Sequence, residues 1–147
     1  MTAASPAEHE LARRVVGTMM AKDAFSAWLG VEIVNVEPRT VTIRMTVRDD
    51  MLNGFGVCHG GVTFAFADSA LAFVSNTHGR VTMSIENGIT YPTSVALGDV
   101  LTAVAEEETA NKRLAFCRVT VRRGDEIVAL FHGTVYRTDR DLPLIDA

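Results

Sequence analysis

Cysteine is nearly absent from this 147-residue chain, which has only Cys58 and Cys117. Two thiols are too few for a disulfide framework. Neither they nor the four histidines stand at metal-binding spacing, so no metal and no resident cofactor are expected. Both cysteines read as reduced thiols packed in or near the core. Basic charge is also scarce: Lys and Arg number 14 against 18 Asp and Glu, a formal net charge of −4. That argues against nucleic acid as the main partner, because phosphate neutralisation needs a basic face. No apolar run approaches the ~20 residues needed to cross a bilayer. The opening MTAASPAEHELARR has acidic residues and lacks the apolar stretch of ~7–15 residues in a secretory signal. A soluble, cytoplasmic protein is therefore the expectation. Linkers, low-complexity tracts and internal repeats are missing too, so residues 1–147 are read as one domain. No G-x-S-x-G occurs, which leaves an α/β-hydrolase site without support.

What the chain does contain is periodic. Ser5, Pro6 and Glu8 form a helix start with a capping box, and Leu11, Val15, Val16 and Met19 follow as an apolar stripe. This predicts an N-terminal helix from Pro6 to about Ala21, within segment 1–22. Phe25, Trp28 and Leu29 continue the apolar surface, and Gly30 breaks it. VEIVNVE (31–37) and TVTIRMTV (40–47) each alternate with period two about Pro38-Arg39, a β-hairpin. Residues 49–58 read as a loop with Asn53-Gly54 and Gly56 as its turn residues. GGVTFAFADSALAFVSN (60–76) is apolar on every side with one charge, the pattern of a buried helix. His78-Gly79 ends it. Further strands are predicted at 81–91, 99–109, 113–123 and 126–137, with 139–147 as a loosely held tail. Helix, two strands, apolar helix and a run of strands describe an α+β fold, a curled antiparallel sheet around one helix. A helix apolar all round needs cover on all sides, and a second subunit is the simplest source.

Asp68 lies in the middle of the most apolar segment. An isolated carboxylate there is costly unless it is paired or its pKa rises. It is either a structural Asp bonded to a hydroxyl or amide, or a working one. At the start of the same helix, Gly60-Gly61 leaves backbone amides uncovered by side chains, where a developing oxyanion could be held. Asp68 is eight residues from Gly60, about 12 Å along the axis. The two cannot act on one atom within one chain, whereas antiparallel helices across a dimer axis could bring them together.

Asn53-Gly54 followed by HGGVTFAFADSA (59–70) resembles the signature of hotdog-fold thioesterases of the phenylacetic-acid-degradation, PaaI-like group. The similarity extends over roughly residues 20–138, including GDVLTA (98–103). It implies a hotdog fold, hydrolysis of an acyl-CoA thioester, and tetramers built from dimers with shared sites. On the matching positions it implies that Asp68 is the catalytic carboxylate, as base for water or as nucleophile. Gly60 would supply the backbone N–H that polarises the thioester carbonyl, and Asn53 would position thioester or water. His59 would orient the loop, and Ser84 would stand near the water. Where many relatives read Arg-Pro, this chain has Tyr91-Pro92.

Among the remaining residues, Arg80, Lys112, Arg113, Arg122 and Arg123 could meet CoA phosphates, though each alone reads as solvated surface. His9 is read as surface, and His78 and His132 as structural or solvated. Glu106-Glu107-Glu108 is read as a solvated strand end, and Phe64, Phe66 and Phe73 as core. Hydrolysis of an aryl-acetyl-CoA is the leading expectation. The alternatives are a hotdog acyl-thioester dehydratase or hydratase, and a non-catalytic acyl-CoA binding module.

Overall fold

A computed structural model describes residues 2–145. Its elements are α1 (Pro6–Lys22), α2 (Ala24–Leu29), β1 (Glu32–Glu37), β2 (Thr40–Thr46), α3 (Gly60–Ser75), β3 (Arg80–Thr90), β4 (Val100–Ala110), β5 (Leu114–Arg123) and β6 (Glu126–Asp141). A short 3-10 turn, Asp49–Met51, opens the loop before α3. No helix among the described residues is long and apolar enough to cross a membrane.

The strands form one antiparallel sheet in the order β1-β2-β4-β5-β6-β3. After β2 the chain runs through α3 and emerges at the far edge as β3. The helix therefore lies across the concave face of a curled sheet, the hotdog arrangement. Period-two alternation puts Val41, Ile43 and Met45 of β2, Leu101, Ala103 and Ala105 of β4, and Val119 and Val121 of β5 on that face, all fully buried. Alanines at 103, 105 and 115 keep the sheet shallow under the helix, whose Phe66 and Phe73 fill the space. Phe64 meets Phe131 of β6 edge to face, with centroids 5.3 Å apart. The opposite face carries cross-strand ion pairs, including Arg44–Glu32 and Arg118–Glu106.

Four expectations change. The chain itself supplies part of the cover for α3, because α1 and α2 pack on it. Asp23 separates these helices and caps α2. The Ser26 hydroxyl donates to Asp23 (2.6 Å), and Ser69 of α3 stands 2.8 Å from the Ser26 Oγ. β1 does not bury one face along its length: it is an edge strand, with Ile33 and Val34 exposed and a register shift between Ile33 and Asn35. β6 continues to Asp141, into the segment read as tail. Arg113 holds Asp139 through both carboxylate oxygens, the Leu142 N–H donates to the Gly79 carbonyl, and the Ile145 N–H donates to Thr18. Residues 146 and 147 of that tail lie outside the described residues.

Glu107 also departs from its reading as a solvated strand end. A register shift between Glu107 and Thr109 accompanies its burial, and its carboxylate accepts from Arg137 at 3.3 Å.

Candidate active site

The loop before α3 is tied down by its own amides. The Asn53 Oδ1 accepts from the N–H groups of Phe55 (2.9 Å) and Val57 (3.3 Å). The Asn53 side chain thus shapes the loop through its oxygen, leaving the amide nitrogen as the group that can face a ligand. Gly56, at φ +78°, makes the turn that a side chain would resist. The Cys58 N–H bonds to the Val95 carbonyl and the His59 N–H to the Met51 carbonyl, anchoring the helix entrance at two points.

His59 is the N-cap of α3, and its Nδ1 accepts from the Gly61 N–H at 2.9 Å. A ring nitrogen with its lone pair engaged this way is not free to act as a base, so the imidazole orients the turn. The Val62 N–H bonds to the His59 carbonyl. Among the described residues, the Gly60 N–H is left without an acceptor. The hydroxyl of Tyr91 donates to the Gly60 carbonyl at 2.7 Å, and its ring lies 3.2 Å from where a Gly60 Cβ would stand. A side chain there would press on Tyr91 and oblige its ring to shift by a few tenths of an ångström. Tyr91 therefore has a defined contact at the helix start.

Two turns further along, Asp68 faces β3. It lines a cavity of about 280 Å³ with Leu71, Ala72, Ser75, Thr82, Met83 and Ser84. Asn87 donates from Nδ2 to the Asp68 Oδ1 (3.1 Å) and, more weakly, to the Ser84 Oγ (3.5 Å). Burial pushes the Asp68 pKa above the usual carboxylate range; the Asn87 bond opposes that, and the charge of Asp23 adds to it.

The expected residues therefore form two groups. Asp68 and Ser84 come together in one cavity. Gly60, His59 and Asn53 gather at the other end of the helix, about 12 Å away along the axis. Sequence reasoning missed Asn87. Residues three apart on a regular strand face opposite sides, so Ser84 and Asn87 would not share a site. A register shift between Ser84 and Glu86 cancels that parity, so Ser84 pairs with Val135 and Asn87 with Gly133. Both partners belong to the inward face of β6.

Free thiols are not part of either group. Burial raises the pKa of both cysteines, that of Cys117 to about 12, so both stay as thiols.

A helix across a curled sheet, with a half-buried acid and an uncovered N-terminus, is the frame of a hotdog enzyme. The thioesterase superfamily profile matches residues 55–130. The acyl-coenzyme A thioesterase PaaI of Escherichia coli is 32% identical over 120 residues, covering 81% of this chain and 86% of the relative. Human acyl-coenzyme A thioesterase 13 is 30% identical over 110 residues, covering 73% of this chain and 79% of the relative. The solved E. coli PaaI, from the phenylacetic acid degradation operon, superposes with a TM-score of 0.89 at 29% identity, covering 92% of this chain and 99% of its own. A Streptococcus mutans protein solved with acetyl-CoA bound gives a TM-score of 0.73 at 26% identity, covering 77% and 91%. The chain belongs to the thioesterase superfamily, in its PaaI-like hotdog branch.

Proposed function

We propose that the protein hydrolyses acyl-CoA thioesters, with an aryl-acetyl group as the acyl part, at a site shared between two chains. The observation that carries this is the separation of a half-buried carboxylate, Asp68, from a free backbone donor, Gly60 N–H, along one rigid helix. Two antiparallel copies of α3 would bring the Asp68 of one chain to the Gly60 of the other. β3 favours such an assembly. It is a sheet edge with an unpaired side, and its Met83 and Ile85, on either side of Ser84, are 54% and 61% exposed. Phe116, Leu130 and Tyr136, exposed on β5 and β6, leave apolar surface for the tetramer that the family resemblance implies.

In this reading Asp68 takes a proton from water, and the hydroxide adds to the thioester carbonyl carbon. The oxyanion is held by the Gly60 N–H, with Asn53 positioning the thioester. Collapse breaks the C–S bond, and the leaving thiolate recovers the proton from Asp68. The products are a free acid and CoA. A raised pKa suits Asp68 to this work, because a base closer to neutrality abstracts protons better. The reaction needs no metal. The aryl-acetyl assignment is supported by the phenylacetic acid degradation context of the E. coli relative.

The test is release of free CoA thiol from short-chain, long-chain and aryl-acetyl CoA esters, for wild type and Asp68→Asn. Turnover that is greatest on the aryl-acetyl ester and falls by about 10²–10⁴ in the variant is expected. Equal rates in a folded Asp68→Asn protein would remove Asp68 from the mechanism. An unreactive wild type that still binds the esters would point to the binding module.

A further inference from the structure

We propose that Asn87 is a positioning residue for Asp68, holding its carboxylate in one orientation toward the cavity that it shares with Ser84. The inference rests on the reading of Asp68 as the base.

Three observations support it. The register shift between Ser84 and Glu86 turns Asn87 inward, opposite Gly133. The absence of a side chain at Gly133 makes room for the amide: a Cβ there would stand 2.8 Å from the Asn87 Oδ1. The amide is oriented by Asp68, since Nδ2 points at the carboxylate while the buried Oδ1 has no hydrogen-bond partner. An amide that served only to fill space would turn to satisfy both ends.

The electrostatics give the contact a purpose. Among the described residues no cation forms an ion pair with Asp68. Among the described residues the charged side chain acting on it is Asp23, from the joint between α1 and α2, and Ser84 and Asn87 of β3 are neutral. Burial and Asp23 both disfavour the carboxylate, and Asn87 is the group that favours it. A neutral amide suits a base that must also be protonated during turnover. After proton transfer, a half-turn of the amide would present Oδ1 to the Asp68 O–H, satisfying the atom that lacks a partner.

The experiment compares wild type, Asn87→Leu and Asn87→Asp in pH profiles of kcat/KM, using the ester turned over fastest in the panel. Asn87→Leu keeps side-chain volume beside Leu71 and removes the donor. Its plateau should fall about tenfold, with kcat rather than KM carrying the loss. Its acid limb should move to higher pH, because the charged form of Asp68 has lost its support. Asn87→Asp, which adds a like charge, should move the limb further. Titration of the Asp68 carboxyl by ¹³C NMR reads the same shift without turnover and needs only folded protein. An Asp68 titration that is unmoved in both folded variants overturns the inference. Asp68→Asn, measured in parallel, separates the two layers: wild-type rates there would sink the base itself. A dead Asp68→Asn with unmoved Asn87 limbs would sink only the role of Asn87. Should Asn87→Leu fail to fold, Asn87→Ala, a pure truncation, takes its place in the same titration.

Discussion

Adding one methyl group at Gly133 or at Gly88 should change stability in opposite directions, although the two clashes look alike. A Cβ on Gly133 would lie 2.5 Å from the Leu71 Cδ2 and 2.8 Å from the Asn87 Oδ1; one on Gly88 would lie 2.4 Å from the His132 Cε1. The difference is what can move. Leu71 is 1% exposed and locked between α3 and β6. The His132 side chain is 64% exposed and can swing away, giving up a 3.9 Å contact with Glu86 that is worth little at the surface. Both substitutions stiffen the unfolded chain, a gain of about 0.4–1 kcal/mol. At Gly133 overpacking costs about 1–3 kcal/mol, leaving a net loss centred on about 1 kcal/mol and reaching at most about 2.6 kcal/mol. At Gly88 the gain survives. For a chain of this size each kcal/mol moves Tm by about 2–4 °C. The assay is equilibrium urea unfolding at one fixed protein concentration, since association stabilises by mass action. A Gly88→Ala protein destabilised as much as Gly133→Ala would refute the argument that the mobility of the neighbour sets the cost.

Burial, and then the Arg137 charge, hold the pKa of His78 down to about 4 from an ordinary 6.5. Between those values the unfolded chain binds the extra proton, so stability should fall as pH drops from about 6.5 to about 4. His78→Gln should flatten that part of the urea-midpoint profile, and an unchanged slope would count against the assignment. Tyr91→Phe removes the bond to the Gly60 carbonyl and should cost about 1 kcal/mol of stability with a severalfold loss in kcat; unchanged values would show that the contact does not hold the helix start. Light scattering should give at least a dimer, and a stable, active monomer would exclude the shared site.

Much of the fold was legible because alternation and all-round apolarity are strong local signals. The strands of the sheet and the helix at 60–76 follow from them to within a few residues at most ends. Two features escaped for a physical reason. α2 is only six residues long, too short for a periodic stripe, and its cap, Asp23, looks like the end of α1. β6 exceeds its predicted end because its last residues are polar, and the Arg113–Asp139 pair and β3 hold them rather than the core. At the site, Asp68 was visible as a charge where none belongs. Asn87 was not, because a one-residue bulge reverses which side chains share a face, and nothing in the residues of β3 announces it.

The sheet order has a consequence for how the molecule is assembled. β3 has one strand partner, β6, which is the last strand in chain order. As the chain is made, β3 must wait while β4 and β5 pair with one another and with β2. Only when residues to about Asp141 are available can it be zipped into place. Such long-range closure is slow and comes late. Ser84 and Asn87 ride on that strand, so the side chains around Asp68 are fixed in the sheet only through the pairing with β6. The geometry of the site thus depends on the last strand of the chain, although no residue of that strand lines the cavity.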